Sequence, residues 1–406
     1  MSNVSIVDNK SCYACNSCVL SCPKKCISLI EDKEGFYYPR IQEDLCIDCG
    51  ICLKKCSTET LKVPDSFKKE FFGVKHNSVA KLKDSSSGAL FAGLADYIIE
   101  NNGIVYGCAY KKDSLDIHQI SVFNSSDVNL LKGSKYIYSS TEDTFEEVKK
   151  ILKDDTNRII LYTGRPCQIA GLYAYLGYIP ENLYTADIIC HGVPSYKLFS
   201  KYLTWLGKKN GGEIIYYGFR DKDVGGWTCG GKTLIKTKTK TKTKTINGST
   251  DPFYSSFLKG DIYRPSCYNC KFANLDLRPG DITMGDFWGV ELLYPEFYDK
   301  NGVSCCVVNS SKGKELFEKV KSSFSIIEVT ADDVIKHNKN LIMPTQRTER
   351  RDYIYNDIDN ISESKFIKKL RQPLRMRIKR IIISLLPFKL KRNLKRIKDI
   401  ISRGRK

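Results

Sequence analysis

Two cysteine strings near the N-terminus restrict what this chain can fold into more than anything else in it. CYACNSCVLSC runs from Cys12 to Cys22 and CIDCGICLKKC from Cys46 to Cys56, each with the spacing C-x2-C-x2-C-x3-C. Three thiolates at that spacing wrap one corner of a cubane [4Fe-4S] cluster, and the fourth reaches across to a neighbouring cube. The spacing assigns Cys12, Cys15, Cys18 and Cys56 to one cluster, and Cys46, Cys49, Cys52 and Cys22 to a second. A segment of this kind folds around its metal, because the cubes supply much of the interior.

The same spacing occurs in bacterial ferredoxins, so the chain is expected to move electrons. A disulfide framework belongs to secreted chains, and the opening MSNVSIVDNK has neither the basic nor the apolar region of a secretory signal. Zinc favours two C-x2-C pairs separated by a longer stretch. Pro23 turns the chain after the first string, and Ser57 stands at the matching position of the second. Cys26 falls outside both strings and reads as a small buried hydrophobe. Seventeen cysteines, and no apolar run of about eighteen residues, predict a reducing cytoplasmic setting without a transmembrane helix.

The formal charge of +19 belongs to one end. Residues 365–406 hold 17 Lys or Arg and one acid, Asp399, for +16; the rest of the chain holds 48 basic and 45 acidic residues, for +3. In that segment Leu374, Ile378, Ile381, Ile382, Leu385 and Leu386, then Leu390, Leu394, Ile397 and Ile401, recur at intervals of three and four around Pro387. Two helices, each with an aliphatic stripe and a Lys/Arg face, are predicted. The pattern suits an anionic membrane surface and would hold the protein at the inner face. An acidic partner protein and a plain solvated tail are the alternatives. Nucleic acid is disfavoured, since the body offers no basic patch or aromatic platform.

Between the two ends, strands and helices alternate. The pattern predicts a helix over 88–101 capped by the preceding serines and a strand over 104–110. A helix over 142–153 follows, with Glu142 and Asp143 in its first turn, then a strand at 158–162, a helix at 168–176 and a strand at 184–190. The fold class expected is an α+β ferredoxin-like module followed by an α/β domain with a mostly parallel sheet and a helical basic tail. The divisions are 1–60, 74–345 and 365–406, with a polar linker over 57–75. The repeat KTKTKTKTKT at 236–245 reads as a lysine-rich edge strand or a low-complexity loop, with no chemistry assigned.

Of the later cysteines, Cys108, Cys229, Cys305 and Cys306 lie in strand-like or glycine-rich surroundings and read as structural. Cys167 in TGRPCQ and Cys190 in CHGVPS follow predicted parallel strands directly, where ligand sites of open α/β sheets gather. Cys267 and Cys270 form a C-x2-C pair. These four could close around a third cluster. A zinc site is the rival, and His191 beside Cys190 keeps it open.

The strings SSSG at 85–88, GSKY at 133–136, TGRPCQ at 163–168, CHGVPS at 190–195, GFRDK at 218–222, RPSCYNC at 264–270 and GDFWG at 285–289 occur in this order. Over about residues 1–310 the chain thereby resembles the coenzyme F420 hydrogenase/dehydrogenase beta subunits and their bacterial relatives. The resemblance implies an iron–sulfur flavoprotein that passes hydride between a deazaflavin coenzyme, F420, and FAD, then single electrons through clusters. It also favours a third [4Fe-4S] cluster on Cys167, Cys190, Cys267 and Cys270. Two residues depart from the family's common form: Ala89 follows Gly88 in place of a second glycine, and Arg165 replaces a threonine.

A cubane exchanges one electron and cannot accept hydride, whereas a flavin converts hydride into single electrons. FAD is therefore expected against the loops at Ser87 and Gly88, at Gly133, Ser134, Lys135 and Tyr136, and at Gly164, where glycine lets backbone approach phosphate and Lys135 could neutralise charge. Asp286 and Trp288 in GDFWG are candidates to shape a substrate pocket. No catalytic residue is assigned. Neither GxGxxG nor a Walker loop is present. The leading reading is an oxidoreductase with a redox partner protein; the alternative is a non-catalytic electron carrier docking to a partner enzyme.

Overall fold

Alternating side chains decide how the main sheet is buried. In the Ile104–Tyr110 strand, Val105 and Ala109 face one helical layer while Ile104 and Tyr106 face the other. The structure is a computed structural model that describes residues 3–64, 67–112 and 114–386, with 390, 392, 393 and 397 beyond them. Its largest sheet has nine strands in the order Phe324–Glu328, Glu70–His76, Ser304–Val308, Ile282–Asp286, Leu183–Ile188, Ile160–Gly164, Ile104–Tyr110, Ile117–Val122 and Ser139–Ser140. The helices Leu90–Glu100 and Ser311–Val320 cover one face, and Thr144–Asp154 and Pro166–Leu176 the other.

The four strands from Ile282–Asp286 to Ile104–Tyr110 are mutually parallel. The flanks add antiparallel pairs, apart from the short Ser139–Ser140 strand. The sheet is thus parallel at its centre and mixed overall. A short connection after Tyr110 can only return antiparallel, whereas the central strands are joined through helices.

Several expected boundaries move. The Leu90–Glu100 helix starts from Ala89 at φ 65° without a side-chain cap. The serines before it instead tie a loop to the sheet: Ser87 Oγ donates to Val303 O at 2.9 Å, and Gly88 N to Ser304 Oγ at 2.9 Å. Glu142 lies outside the Thr144–Asp154 helix, paired with Lys111 at 2.6 Å, and Glu146 and Glu147 fill the first turn. The expected linker ends before Glu70, because Phe71 and Phe72 belong to a strand inside the sheet.

A second sheet of three antiparallel strands, Thr241–Asn247, Gly230–Lys236 and Glu213–Gly218, packs around Phe199, Tyr202, Tyr217, Phe219, Phe253 and Tyr254. The lysine–threonine repeat divides there. Lys236 ends one strand, Thr237 and Lys240 close a turn, and Thr241 opens the largely exposed edge strand. The same core takes Phe366, Ile367 and Leu370 from the Glu363–Leu370 helix. The expected tail boundary at 365 therefore falls inside a packed helix.

The exposed amphipathic part begins with Leu374–Leu385, where Leu374, Ile378 and Ile382 are 66%, 49% and 56% exposed. Leu390 and Ile397 are exposed as well. Pro387, Leu394, Ile401 and the side chains of Ile381 and Leu385 lie outside the described residues. Among the described residues no helix is long and apolar enough to cross a membrane.

The N-terminal module carries a hairpin, Ile27–Glu31 with Tyr37–Ile41, and two short helices, Ser17–Leu20 and Ile51–Lys54. It is docked on the larger body. Arg351 holds Glu34 through both nitrogens at 2.7 and 2.5 Å, Ser195 Oγ donates to Glu34 O at 2.7 Å, and Lys55 Nζ to Tyr175 O at 3.0 Å.

Candidate functional site

The two N-terminal strings fold alike. Ala14 and Asp48 take φ of 50° and 46°, and Asn16 and Gly50 take 71° and 70°, at equivalent places. Left-handed residues set between right-handed ones curl the backbone into a concave nest of N–H groups, a shape that suits an anionic iron–sulfur group. For alanine and aspartate that conformation costs on the order of 1–2 kcal/mol each, which a bound group can offset. Backbone amides already reach the sulfurs, Val4 N to Cys52 Sγ at 3.3 Å and Ala14 N to Cys12 Sγ at 3.5 Å.

The cysteines gather as three quartets. Burial raises the Cys12, Cys15 and Cys18 thiols, Cys15 up to about 12, and the charge of nearby Cys56 adds to the rise in all three. Cys22, Cys46, Cys49 and Cys52 line one small cavity together with Cys26. Cys26 Sγ lies 3.4 Å from Cys22 Sγ, so it is buried as expected and also adjoins this quartet. Cys167, Cys190, Cys267 and Cys270 form the third set, with Cys270 pushed up to about 12 by burial and then by Cys167 and Cys190. Buried thiols of this kind hold their protons, so loading metal must release them. Among the described residues no three His, Cys, Asp or Glu close on a single ion. His191 is exposed, and the charge it feels is that of Asp286.

One helix relates the first and third quartets. Pro166–Leu176 carries Cys167 in its first turn and Gly171 one turn on. A Cβ on Gly171 would fall 2.7 Å from Cys15 Cβ, so glycine is required where the first quartet leans on the helix. Four residues of helix span about 6 Å. Tyr13 adjoins both sets, following Cys12 in sequence and feeling the charge of Cys270, Cys167 and Cys267. The first and second quartets interlock through the strings themselves, and Cys18 feels Cys52. Cys49 of the second quartet is exposed.

The loops expected to face a flavin converge in part. Ser134 N donates to Ser86 Oγ at 3.0 Å, which joins the 85–88 and 133–136 loops. Arg220 Nη2 donates to Ser86 O at 3.0 Å, Arg220 Nη1 to Tyr136 Oη at 3.4 Å, and Lys222 Nζ to Ser87 O at 2.9 Å. Arg220 is held by Asp286 at 3.0 Å, and Trp227 Nε1 donates to the same carboxylate at 2.6 Å. Trp227 and Trp288 stack at 4.9 Å.

Gly133, at φ 84°, has open space where a Cβ would lie. Gly88 has not: a Cβ there would fall 2.2 Å from Val74 O, so packing alone demands glycine. Lys135 turns inward to the carbonyls of Lys132, Leu131 and Gly133, and burial lowers it to about 8. Gly164 lies apart, beside Gln119 and Gln168. Arg220, Lys222 and Trp227 received no role from the sequence; the string GFRDK carried two of them, but only the folded chain brings them to Ser86 and Ser87.

Residues 157–333 match a family model for the C-terminal part of the coenzyme F420 hydrogenase/dehydrogenase beta subunit, and residues 11–61 match a 4Fe-4S dicluster domain. Pyruvate synthase subunit PorD of Methanothermobacter marburgensis is 37% identical over 57 residues, 14% of this chain and 60% of that protein. PorD of Methanocaldococcus jannaschii is 34% identical over 56 residues, with the same 14% and 60% covered. The chain thus spans less than two thirds of the length of these curated relatives. A chain of the F420-reducing [NiFe] hydrogenase complex of Methanosarcina barkeri superimposes with a TM-score of 0.43 at 14% identity, over 76% of this chain and 93% of that one. The chain thus carries a 4Fe-4S dicluster domain over residues 11–61 and, over residues 157–333, a segment matching the C-terminal part of the coenzyme F420 hydrogenase/dehydrogenase beta subunit.

Proposed function

We propose that the chain is an iron–sulfur flavoprotein oxidoreductase that passes electrons between a hydride-carrying coenzyme, F420 or a similar donor, bound FAD and three [4Fe-4S] clusters, and delivers them to a redox partner protein. The observation that carries this reading is the Pro166–Leu176 helix, which offers Cys167 to one quartet and Gly171 to another about 6 Å on. When bound, FAD would accept hydride and return electrons singly, and each cluster would carry one at a time.

The loops at Ser86–Ser87, Gly133–Tyr136 and Arg220–Lys222 would bind and orient the flavin. Asp286 holds the Arg220 guanidinium in place. The loop from Gly133 continues to Tyr138, whose hydroxyl donates to Ala14 O at 3.0 Å inside the first string. That segment ties the flavin loops to the clusters. The exposed Cys49 marks the second quartet as the exit toward a partner. On this reading the working units are 1–60, 70–372 and the basic tail beyond, with the tail's apolar stripe resting on the anionic inner face of the membrane in the cytoplasm.

The test is an anaerobic preparation of the full chain, with its flavin released and identified and its reduction followed with reduced F420 and with NADH. Bound FAD reduced by either donor supports the proposal. A flavin-free chain whose clusters respond only to external low-potential donors would leave the electron-carrier reading in its place.

A further inference from the structure

Buried arginines in this protein generally face a carboxylate. Arg220 has Asp286, Arg278 has Asp187 and Arg351 has Glu34. Two have none among the described residues. Arg264, 1% exposed, donates Nε to Cys12 O at 2.8 Å and Nη2 to Tyr37 O at 2.8 Å, while its buried Nη1 has no partner. Arg165, 7% exposed, donates Nη2 to Ser139 O at 3.0 Å and Nε to Gln168 Oε1 at 3.2 Å. Tyr38 and Tyr138 lie under the two guanidinium groups, at 4.2 and 5.2 Å.

Carbonyls and rings soften a buried positive charge without neutralising it, and a guanidinium cannot shed its proton. Each of these two cations therefore needs an anion, and each sits against a different quartet. Arg264 lies beside the Cys12 thiol of the first. Arg165 stands two residues before Cys167 of the third and feels Cys190 as well. Four thiolates around a dicationic cubane core leave a dianion, and one added electron makes it a trianion with no proton required.

We infer that Arg264 and Arg165 are the counter-ions of the first and third clusters and hold both at a higher reduction potential than neutral side chains would. The inference rests on the cluster reading above. Net charge and hydrogen bonding around the sulfurs are the levers by which a protein sets such potentials. An electron arriving from the flavin side is then drawn onto the two inner clusters.

The test is a redox titration of the full holoprotein, read by electron paramagnetic resonance, on Arg264→Gln, Arg165→Gln, the two Arg→Lys variants and the exposed control Arg40→Gln. Each Gln variant should lower a different wave by at least tenfold in the one-electron equilibrium, about 59 mV. The Lys variants should retain most of the wild-type potential, and Arg40→Gln should match wild type. If a Gln variant arrives without its cluster while the Lys variant keeps it, the charge is again what matters. Gln variants that titrate as wild type, Lys variants shifted as far as Gln, or loss of iron from both alike would overturn the inference. Wild-type protein lacking iron and sulfide would instead overturn the cluster reading.

Discussion

Glu34→Gln should loosen the cluster module from the body. Arg351 is 2% exposed at its side chain and Glu34 18%, so the pair is nearly out of water. Both guanidinium nitrogens reach the carboxylate, at 2.7 and 2.5 Å, and the charge also lies 4.3 Å from the Tyr355 ring. Breaking a buried pair typically costs about 3–5 kcal/mol, and here it leaves the cation only the exposed Asp352 carboxylate at 3.4 Å. The residual exposure of Glu34 puts the expected cost near the lower bound, about 3 kcal/mol. Replacing both residues, as Glu34→Leu with Arg351→Met, should recover most of that loss, because the desolvation penalty disappears with the charges. The assay is denaturant unfolding of the reconstituted protein under anaerobic conditions, with cluster absorbance and far-ultraviolet circular dichroism followed together. A Glu34→Gln change below about 0.5 kcal/mol, or a double variant no better than the single, would refute the reasoning.

Further outcomes follow from the same structure. Cys56→Ala should cost about four irons per chain, while Cys108→Ala should cost none, by iron and sulfide analysis. Burial raises the Asp251 carboxyl to about 6, so the fold is relatively favoured while that group keeps its proton and loses this contribution as pH rises from about 4 through 6. Asp251→Asn keeps the helix-capping acceptor and should stabilise the protein by roughly 1–3 kcal/mol at pH 7 and by little at pH 4, in unfolding at the two pH values. Truncation after Gln372 should abolish retention on vesicles containing anionic lipid while leaving iron content unchanged; Ile378→Asp in the full chain should weaken retention about tenfold, and added salt should weaken it further.

Local signals made the cluster module and the central strands legible. Ligand spacing is a property of consecutive residues, and a helix between two apolar strands leaves a period that survives without tertiary context. The N-caps failed at Leu90 because Ser87 and Gly88 are committed to Val303 and Ser304, more than two hundred residues away. Gly88 resembled a phosphate loop but is a packing glycine against Val74. Phe366, Ile367 and Leu370 have the same spacing as the exposed stripe that follows them, and nothing local distinguishes a helix that has a partner surface from one that does not. The third quartet was legible only because two of its cysteines directly follow parallel strands. The roles proposed for Arg264 and Arg165 depend on the lack of a paired acid among the described residues, which no string of neighbours records.

Iron and acid-labile sulfide counted per chain in anaerobically purified protein test the central claim most directly. The account predicts about twelve of each, in three cubes held by the three quartets. About eight of each, with one zinc bound per chain, would contradict it.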